Sequence, residues 1–531
     1  MTPDSSPLHT LLVHSPKLDS HFGPVGSADA IHMMAVGLPA LAEAMSRTGR
    51  PTRVMHLGVE RRVDPSFDLA QEARRLGPRV VGLSLHWHPQ TWHTIQAART
   101  LRKALPDAFI VLGGFTASAF DDQILAQEPA IDGVIRGDGE VPLVELARAL
   151  DELRPLSEVP NLSFRSAGQV VRNPISHTAS TASLSELGFE RFDLVRHHRT
   201  YIRDCGLHFV PHSRRRLWLM RTAQSVFGGS GRFMVLPAGR GCSVNCAWCG
   251  GGFGAHKRHH GRTGPVRLLP GRLAASVARA VDWGFKGVHA CFDPHPDTPD
   301  HWVEVCDRVR GSQVRTGMLF ESFRLPHPRL VRALAATFRS PTIAISPESP
   351  REAVRHKVRG LPFSNDELVA AVADCAGEGV QVLLSFGLGL PGEDAAALDE
   401  AVALHARCQA AARRQSAGAK VLLRTFPITL EPASPWSRTP ERYGIVPTRT
   451  TFSDYLAAHR PGHTGPEAGL GYVLPEFFGD APALDPHAFA SRLQEAACKR
   501  MCPLPPGPTW GHLTCRTLRS VGRSGQVSCT A

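Results

Sequence analysis

The 531-residue chain lacks any uninterrupted apolar run long enough to span a bilayer, so no transmembrane helix is expected. Its first residues, Met1-Thr2-Pro3-Asp4-Ser5, lack a basic stretch followed by an apolar one, so no leader is expected and the cytoplasm is the expected compartment. Cysteine is sparse. Twelve in so long a chain are too dilute for a disulfide scaffold, and cytoplasmic thiols stay reduced. Acidic residues are outnumbered, 48 Asp and Glu against 60 Lys and Arg, for a net charge of +12. Such an excess can serve an anionic partner, but here it is spread along the chain. It is densest from Arg196 to Arg221 and after Glu495, where no acidic residue occurs. No nucleic-acid module signature accompanies it, so nucleic acid is not an expected partner. No G-x-G-x-x-G follows the first predicted strand, which excludes a dinucleotide fingerprint.

What is present is alternation. Length predicts two or three domains, and a hydrophobic fraction of 42% suits globular cores. From residue 9 to about 150, strands predicted near Leu11–Val13, Val54–Leu57, Val80–Ser84, Phe109–Gly114 and Gly133–Ile135 alternate with helical patterns. This is α/β architecture, a doubly wound parallel sheet whose ligand crevice lies outside the carboxyl ends of its strands. Proline and Ser/Thr-rich residues 155–230 read as a linker with short elements and a small hairpin. Six further βα units begin with a strand at Phe233–Leu236 and fit an open, partial barrel with its chemistry on the loops after the strands. The expected division is 1–154, 155–230, 231–430 and a small C-terminal extension, 431–531.

The chain is organised around Gly239-Arg240-Gly241-Cys242-Ser243-Val244-Asn245-Cys246-Ala247-Trp248-Cys249-Gly250-Gly251-Gly252, directly after the first barrel strand. Cys242, Cys246 and Cys249 stand at C-x3-C-x2-C spacing, and the flanking glycines let the backbone wrap tightly. Three thiolates are one short of a closed iron–sulfur site, so one iron of a four-iron cluster would stay open. Cys498 and Cys502 would share a helix face, but no C-x2-C accompanies them or Cys515 and Cys529, and no second cluster is expected. Cys291 reads as a core thiol.

The cysteine stretch resembles the cluster loop of the radical S-adenosylmethionine (radical SAM) enzymes. The resemblance implies a [4Fe-4S] cluster on Cys242, Cys246 and Cys249, with SAM on the open iron and Trp248 near the adenine. Gly250 then lies at the SAM site. Asp293, in Cys291-Phe292-Asp293-Pro294, takes the place of the residue that receives the SAM amino group. Ser346 and Glu348, in Ile345-Ser346-Pro347-Glu348-Ser349-Pro350, resemble the polar segment that holds the SAM ribose or carboxylate. Gly387 and Gly389, in Phe386-Gly387-Leu388-Gly389-Leu390-Pro391-Gly392-Glu393, resemble the segment near the adenine.

The first sheet is similar to the cobalamin-binding, Rossmann-like domain that precedes many radical SAM domains. Three loops carry this likeness: Ser84-Leu85, Gly113-Gly114-Phe115-Thr116 and Gly137-Asp138-Gly139-Glu140, the last in place of G-E-G-E. The implied cobalamin contacts are Ser84, Leu85, Gly113, Gly114, Gly137, Gly139 and Glu140. Asp19-Ser20-His21-Phe22-Gly23-Pro24 partly matches D-x-H-x-x-G, which makes His21 a candidate cobalt ligand, with proline in place of the final glycine. His86, His88 and His93 lie near the same face.

Together the two resemblances imply a cobalamin-dependent radical SAM enzyme. The expected reaction is methylation of an unactivated carbon or a phosphinate of a small natural product or peptide, by methylcobalamin plus a 5′-deoxyadenosyl radical. An external electron donor such as flavodoxin or ferredoxin is implied. Cobalamin-assisted rearrangement, cyclisation or oxidation uses the same cofactors and is the alternative. A cobalamin- or redox-responsive regulator that binds nucleic acid is another, but it would not need the SAM-contact loops.

Overall fold

The computed structural model describes residues 8–15, 34–204, 233–291, 299–394, 396–463 and 470–473. His21, Asp293, Cys498, Cys502, Cys515 and Cys529 lie outside these residues.

The first sheet has seven strands: β1 Thr10–His14, β2 Thr52–His56, β3 Val80–Ser84, β4 Phe109–Gly113, β5 Gly133–Ile135, β6 Leu162–Ser166 and β7 Gln169–Arg172. Their order is β2-β1-β3-β4-β5-β6-β7. The first five are parallel, with Leu12 opposite both Val54 and Gly82. Strands β1 and β3 are buried along their whole length, as expected for apolar runs covered by helices on both faces. The order reverses between β1 and β3, where ligands of such sheets bind. The hairpin expected in the linker is β6–β7. It pairs antiparallel with β5 and extends the sheet instead of hanging free. Leu57, expected in the second strand, starts the helix Leu57–Val63, because the His56 side chain accepts from Gly58 N–H at 3.2 Å and caps it.

The second sheet contains β8 Phe233–Val235, β9 Gly287–Ala290, β10 Gly317–Ser322, β11 Arg339–Glu348, β12 Gln381–Leu388 and β13 Val421–Pro427. They run in sequential order, all parallel, as an open six-stranded partial barrel. Helices such as Pro270–Asp282 and Asn365–Gly377 cover the outside. The latter starts on a capping box in which Ser364 and Glu367 satisfy each other's backbone.

One apolar core runs through both sheets, from Leu12, Val54 and Val111 to Val288, Phe320 and Leu384. A second fills the other face of the first sheet and takes in Phe452 and Tyr455 of the helix Phe452–Ala458. A third gathers Ala247, Val358, Leu430, Trp436 and Tyr472 around the cysteine loop. The C-terminal segment therefore packs against both sheets. No helix among the described residues is long and apolar enough to cross a membrane.

Candidate active site between the two sheets

The cysteine loop leaves β8 through a two-residue ribbon in which Gly239–Arg240 pairs with Val266–Arg267. Gly241 has φ +89°, and a methyl group there would stand 2.9 Å from Arg262 Cδ and Pro265 Cα, so the turn into Cys242 requires glycine. Inside the loop, Val244 N–H points at Cys242 Sγ (3.4 Å) and Gly251 N–H at Cys249 Sγ (3.3 Å). Ala247 N–H donates to Val358 O at 2.7 Å, which ties the loop to the helix Glu352–Arg359.

The three thiols keep part of their surface open, yet protein encloses them densely. Burial pushes the Cys246 thiol up to about 12 and Cys249 well above the usual thiol range, the latter aided by the nearby Glu431 carboxylate. Cys242 adds to the rise at Cys246, and both Cys242 and Cys246 add to that at Cys249. Among the described residues no group of three or more His, Cys, Asp or Glu is arranged to hold a metal ion. A cluster spreads its thiolates over separate irons, so its ligands need not converge as those of one ion must. Three cysteines on one glycine-rich loop, two already accepting N–H donors, fit the cluster in that sense.

The loops at the carboxyl ends of the first sheet are knitted together. Leu85 N–H donates to Gly113 O (2.8 Å) and Ala117 N–H to Leu85 O (3.3 Å). Gly137 N–H donates to Ser118 Oγ at 3.2 Å, and that hydroxyl donates to Gly114 O at 2.8 Å. Gly114 has φ +116°, and a methyl group there would lie 2.6 Å from Leu85 O and 2.7 Å from His86 Cα. Ser84, Leu85, Gly113, Gly114 and Gly137 thus form one edge. Gly139 stands beside them against Leu41, where a methyl group would have ordinary clearance of 3.5 Å.

This edge faces the cysteine loop. A methyl group on Gly251 would lie 3.6 Å from Phe115 Cζ and 3.8 Å from Cys249 Sγ. Phe115 stacks on Trp87 (5.7 Å, 17°) and meets His256 and His260 of the helix Phe253–His260 at 5.0 and 4.6 Å. Gly137 rests on the same helix, where a methyl group would come within 3.2 Å of His260 Cα. Burial, reinforced by Arg262, lowers His256 to about 4. Burial, reinforced by His256, lowers His260 to about 3, so both rings are neutral near pH 7.

Ion pairs clamp the two halves together. Arg240 Nη1 lies 2.6 Å from Glu140 Oε1 and 2.9 Å from Asp138 Oδ1, and Arg262 also pairs with Asp138. Burial pushes the Asp138 carboxyl up, but Arg240 and Arg262 outweigh it and hold the group below its ordinary range. Glu140, expected at cobalamin, therefore spends one oxygen on the barrel. Its Oε2 is buried without a hydrogen-bond partner among the described residues.

The C-terminal segment supplies a third wall, which periodicity and motif gave no sign of. Glu431 Oε2 accepts from Gly250 N–H at 2.8 Å, and Trp436 N–H donates to Ala247 O at 2.8 Å. Tyr455 OH donates to Leu430 O (3.1 Å), and His88 meets His459 at 2.8 Å. A small cavity of about 10 Å³ remains where the three parts meet, lined by Trp87, His88, Phe115, Thr116, Gly250, Glu431 and Pro432.

Inside the barrel, Glu348 is buried with φ +64° and pairs with Arg359, which also donates to Ser346 O at 2.6 Å. Burial raises Glu348 to about 7, with Arg359 and Arg424 pulling the other way. Cys246 feels both Arg359 and Glu348, so this pair lies near the cysteine loop. Gly387 is enclosed by Ile428 and Glu348, and Gly389 by Tyr472, whose hydroxyl donates to Gly389 O at 2.7 Å. Trp248 packs edge-on against Trp436 at 6.2 Å. The structure thus gathers Trp248, Gly250, Ser346, Glu348, Gly387 and Gly389 around the cysteine loop and its flanking strands.

Comparison with known proteins matches two parts of the chain. Residues 31–147 match the B12 binding domain model, and residues 236–405 match that of the radical SAM superfamily. The chain is 28% identical over 160 residues to the anaerobic magnesium-protoporphyrin IX monomethyl ester cyclase of Synechocystis sp., covering 30% of this chain and 26% of that one. It is 31% identical over 133 residues to the hopanoid C-3 methylase of Methylococcus capsulatus, covering 25% of each. These alignments span about a quarter of the curated relatives' length. Among solved structures, the radical SAM methyltransferase TsrM from Kitasatospora setae, with cobalamin and a [4Fe-4S] cluster bound, superposes with TM-score 0.63 at 16% identity, covering 94% of this chain and 91% of that one. The cobalamin-dependent SAM radical enzyme OxsB superposes with TM-score 0.56 at 12% identity, covering 82% and 60%. At these identities the likeness is one of fold.

Proposed function

Because this chain belongs to the radical SAM enzymes that carry a B12-binding domain, we propose that it methylates an unactivated carbon, or a phosphinate, of a small natural-product or peptide substrate. The observation that carries this reading is the meeting of the two cofactor edges, Phe115 of the first sheet against Gly251 beside Cys249. When bound, cobalamin supplies the methyl group, and the cluster with SAM supplies a 5′-deoxyadenosyl radical that removes hydrogen from an acceptor too weak to act as a nucleophile. The protein's part is placement and exclusion of water. Cys242, Cys246 and Cys249 would hold the cluster. Trp248, Gly250, Ser346, Glu348, Gly387 and Gly389 would border SAM. Ser84, Leu85, Gly113, Gly114, Gly137, Gly139 and the second oxygen of Glu140 would border cobalamin. The acceptor would approach where Trp87, Phe115 and Glu431 of the three parts meet. A flavodoxin or ferredoxin would supply electrons.

The hopanoid methylase among the relatives supports methyl transfer, and the porphyrin ester cyclase supports ring closure as a second reading. One experiment separates them. The full chain is reconstituted anaerobically with iron, sulfide and cobalamin, given a reductant, SAM and candidate substrates, and its products are analysed. Methyl transfer yields 5′-deoxyadenosine and S-adenosylhomocysteine together. Deoxyadenosine without S-adenosylhomocysteine overturns methylation and keeps the radical chemistry.

A further inference from the structure

Glu431 lies outside every motif in the chain, yet it sits on the backbone that carries a cluster cysteine. Its Oε2 accepts from Gly250 N–H at 2.8 Å, one residue beyond Cys249. The approach is built in. A methyl group on Gly250 would lie 2.3 Å from Pro432 O, so only glycine lets the two backbones come this close. The carboxylate cannot easily swing away, because its segment is fixed on all sides. Leu430 N–H donates to Leu470 O (2.8 Å), Tyr455 OH to Leu430 O (3.1 Å) and Ser434 Oγ to Glu431 O (2.7 Å). Trp436 N–H holds Ala247 O from the other side.

We propose that Glu431 is a positioning residue that lowers the reduction potential of the cluster held by Cys242, Cys246 and Cys249. The inference rests on the reading of those cysteines as cluster ligands. Reduction adds one electron to the cluster, and a fixed negative charge beside it in a poorly solvated site opposes that gain. The Val244 and Gly251 N–H groups on Cys242 and Cys249 act in the opposite sense, since donors to sulfur favour added negative charge. Glu431 offsets them. A lower potential makes the reduced cluster a stronger donor for SAM cleavage, so the C-terminal wall helps set the driving force as well as the shape of the site.

The test is a redox titration of the reconstituted full chain, followed by the paramagnetic signal of the reduced cluster, without SAM or substrate. Glu431→Gln keeps an oxygen for Gly250 N–H and loses the charge. Its midpoint is expected to be more positive than the parent's. Glu441→Gln, an exposed acid on the same segment, is the control and should leave the midpoint unchanged. A midpoint does not depend on how many molecules carry the cluster, so partial loading does not blur the result. An unshifted Glu431→Gln, or an equal shift in Glu441→Gln, overturns the inference alone. A parent chain that forms no reducible cluster removes the cluster reading and this inference with it.

Discussion

Glu348 combines features that single residues seldom share. It is buried, it holds a left-handed φ without being glycine, and among the described residues one of its oxygens is engaged, by Arg359, and the other has no hydrogen-bond partner. Such strain persists where surrounding structure overrides it, commonly at sites that do chemistry. Burial raises its folded pKa from 4.5 to about 7, so between those values the native state binds the extra proton. The stability from this group is complete below about pH 4.5 and is lost as pH rises through about 7. Glu393 is also raised to about 7 by burial and acts with the same sign. These two carboxyls therefore lower the unfolding free energy between about pH 4.5 and 7, against His93, His256 and His260, whose lowered pKa values add stability as pH rises to about 6.5. Relative to the parent, Glu348→Gln should remove the falling contribution of its own group, an amount bounded at about 3 kcal/mol, from about 1.4 kcal/mol per pKa unit. Denaturant unfolding at several pH values checks this, and a slope equal to the parent's would refute it. The sequence marked Glu348 through its neighbours Ser346 and Pro347. Its backbone strain was not legible, because nothing in residue type distinguishes a left-handed glutamate from an extended one.

At the scale of elements, the parallel strands were readable because strands covered on both faces are short apolar runs ended by glycine or polar residues. The loops were half readable. Gly113-Gly114 showed up as a ligand loop, but the structure adds a packing reason for the second glycine. At Gly114 an alanine side chain would meet the main chain of the preceding loop and adopt φ +116°. Gly114→Ala should cost about 2–4 kcal/mol, summing positive-φ strain and overpacking. It should also weaken cobalamin binding measured by equilibrium dialysis, while leaving iron loading of the cysteine loop near the parent level. Equal loss of both cofactors would mean that the two loops fold as one unit. The C-terminal wall was hidden for a different reason. The helix Phe452–Ala458 is seven residues long, and its apolar pair Phe452 and Tyr455 gains meaning only against Phe120, between the two short helices after β4. So short a segment carries no periodic signal.

For the whole molecule, the question is how a cofactor in one sheet is felt in the other. An apolar core crosses between them, but such a core couples without direction. The cluster of Asp138, Glu140, Arg240 and Arg262 is more specific, since it joins the loop after β5 of the first sheet to the residue two before Cys242. The family resemblance implied Glu140 as a cofactor contact. It could not show that an arginine a hundred residues away would claim one of its oxygens. Arg240→Ala leaves two buried acids short of a cation, which should destabilise the protein by about 3–5 kcal/mol. A thermodynamic link between the cofactors has a sharper signature, because any ligand that binds only the folded state raises the unfolding temperature. In the parent, saturating cobalamin should raise the temperature at which the iron chromophore of the reconstituted chain is lost. In Arg240→Ala that cobalamin-dependent rise should shrink by more than half, even after the lower starting stability is matched by a comparably destabilised control such as Leu334→Ala, a truncation in the apolar core. An undiminished rise would place the coupling in the shared apolar core instead of the ion pairs.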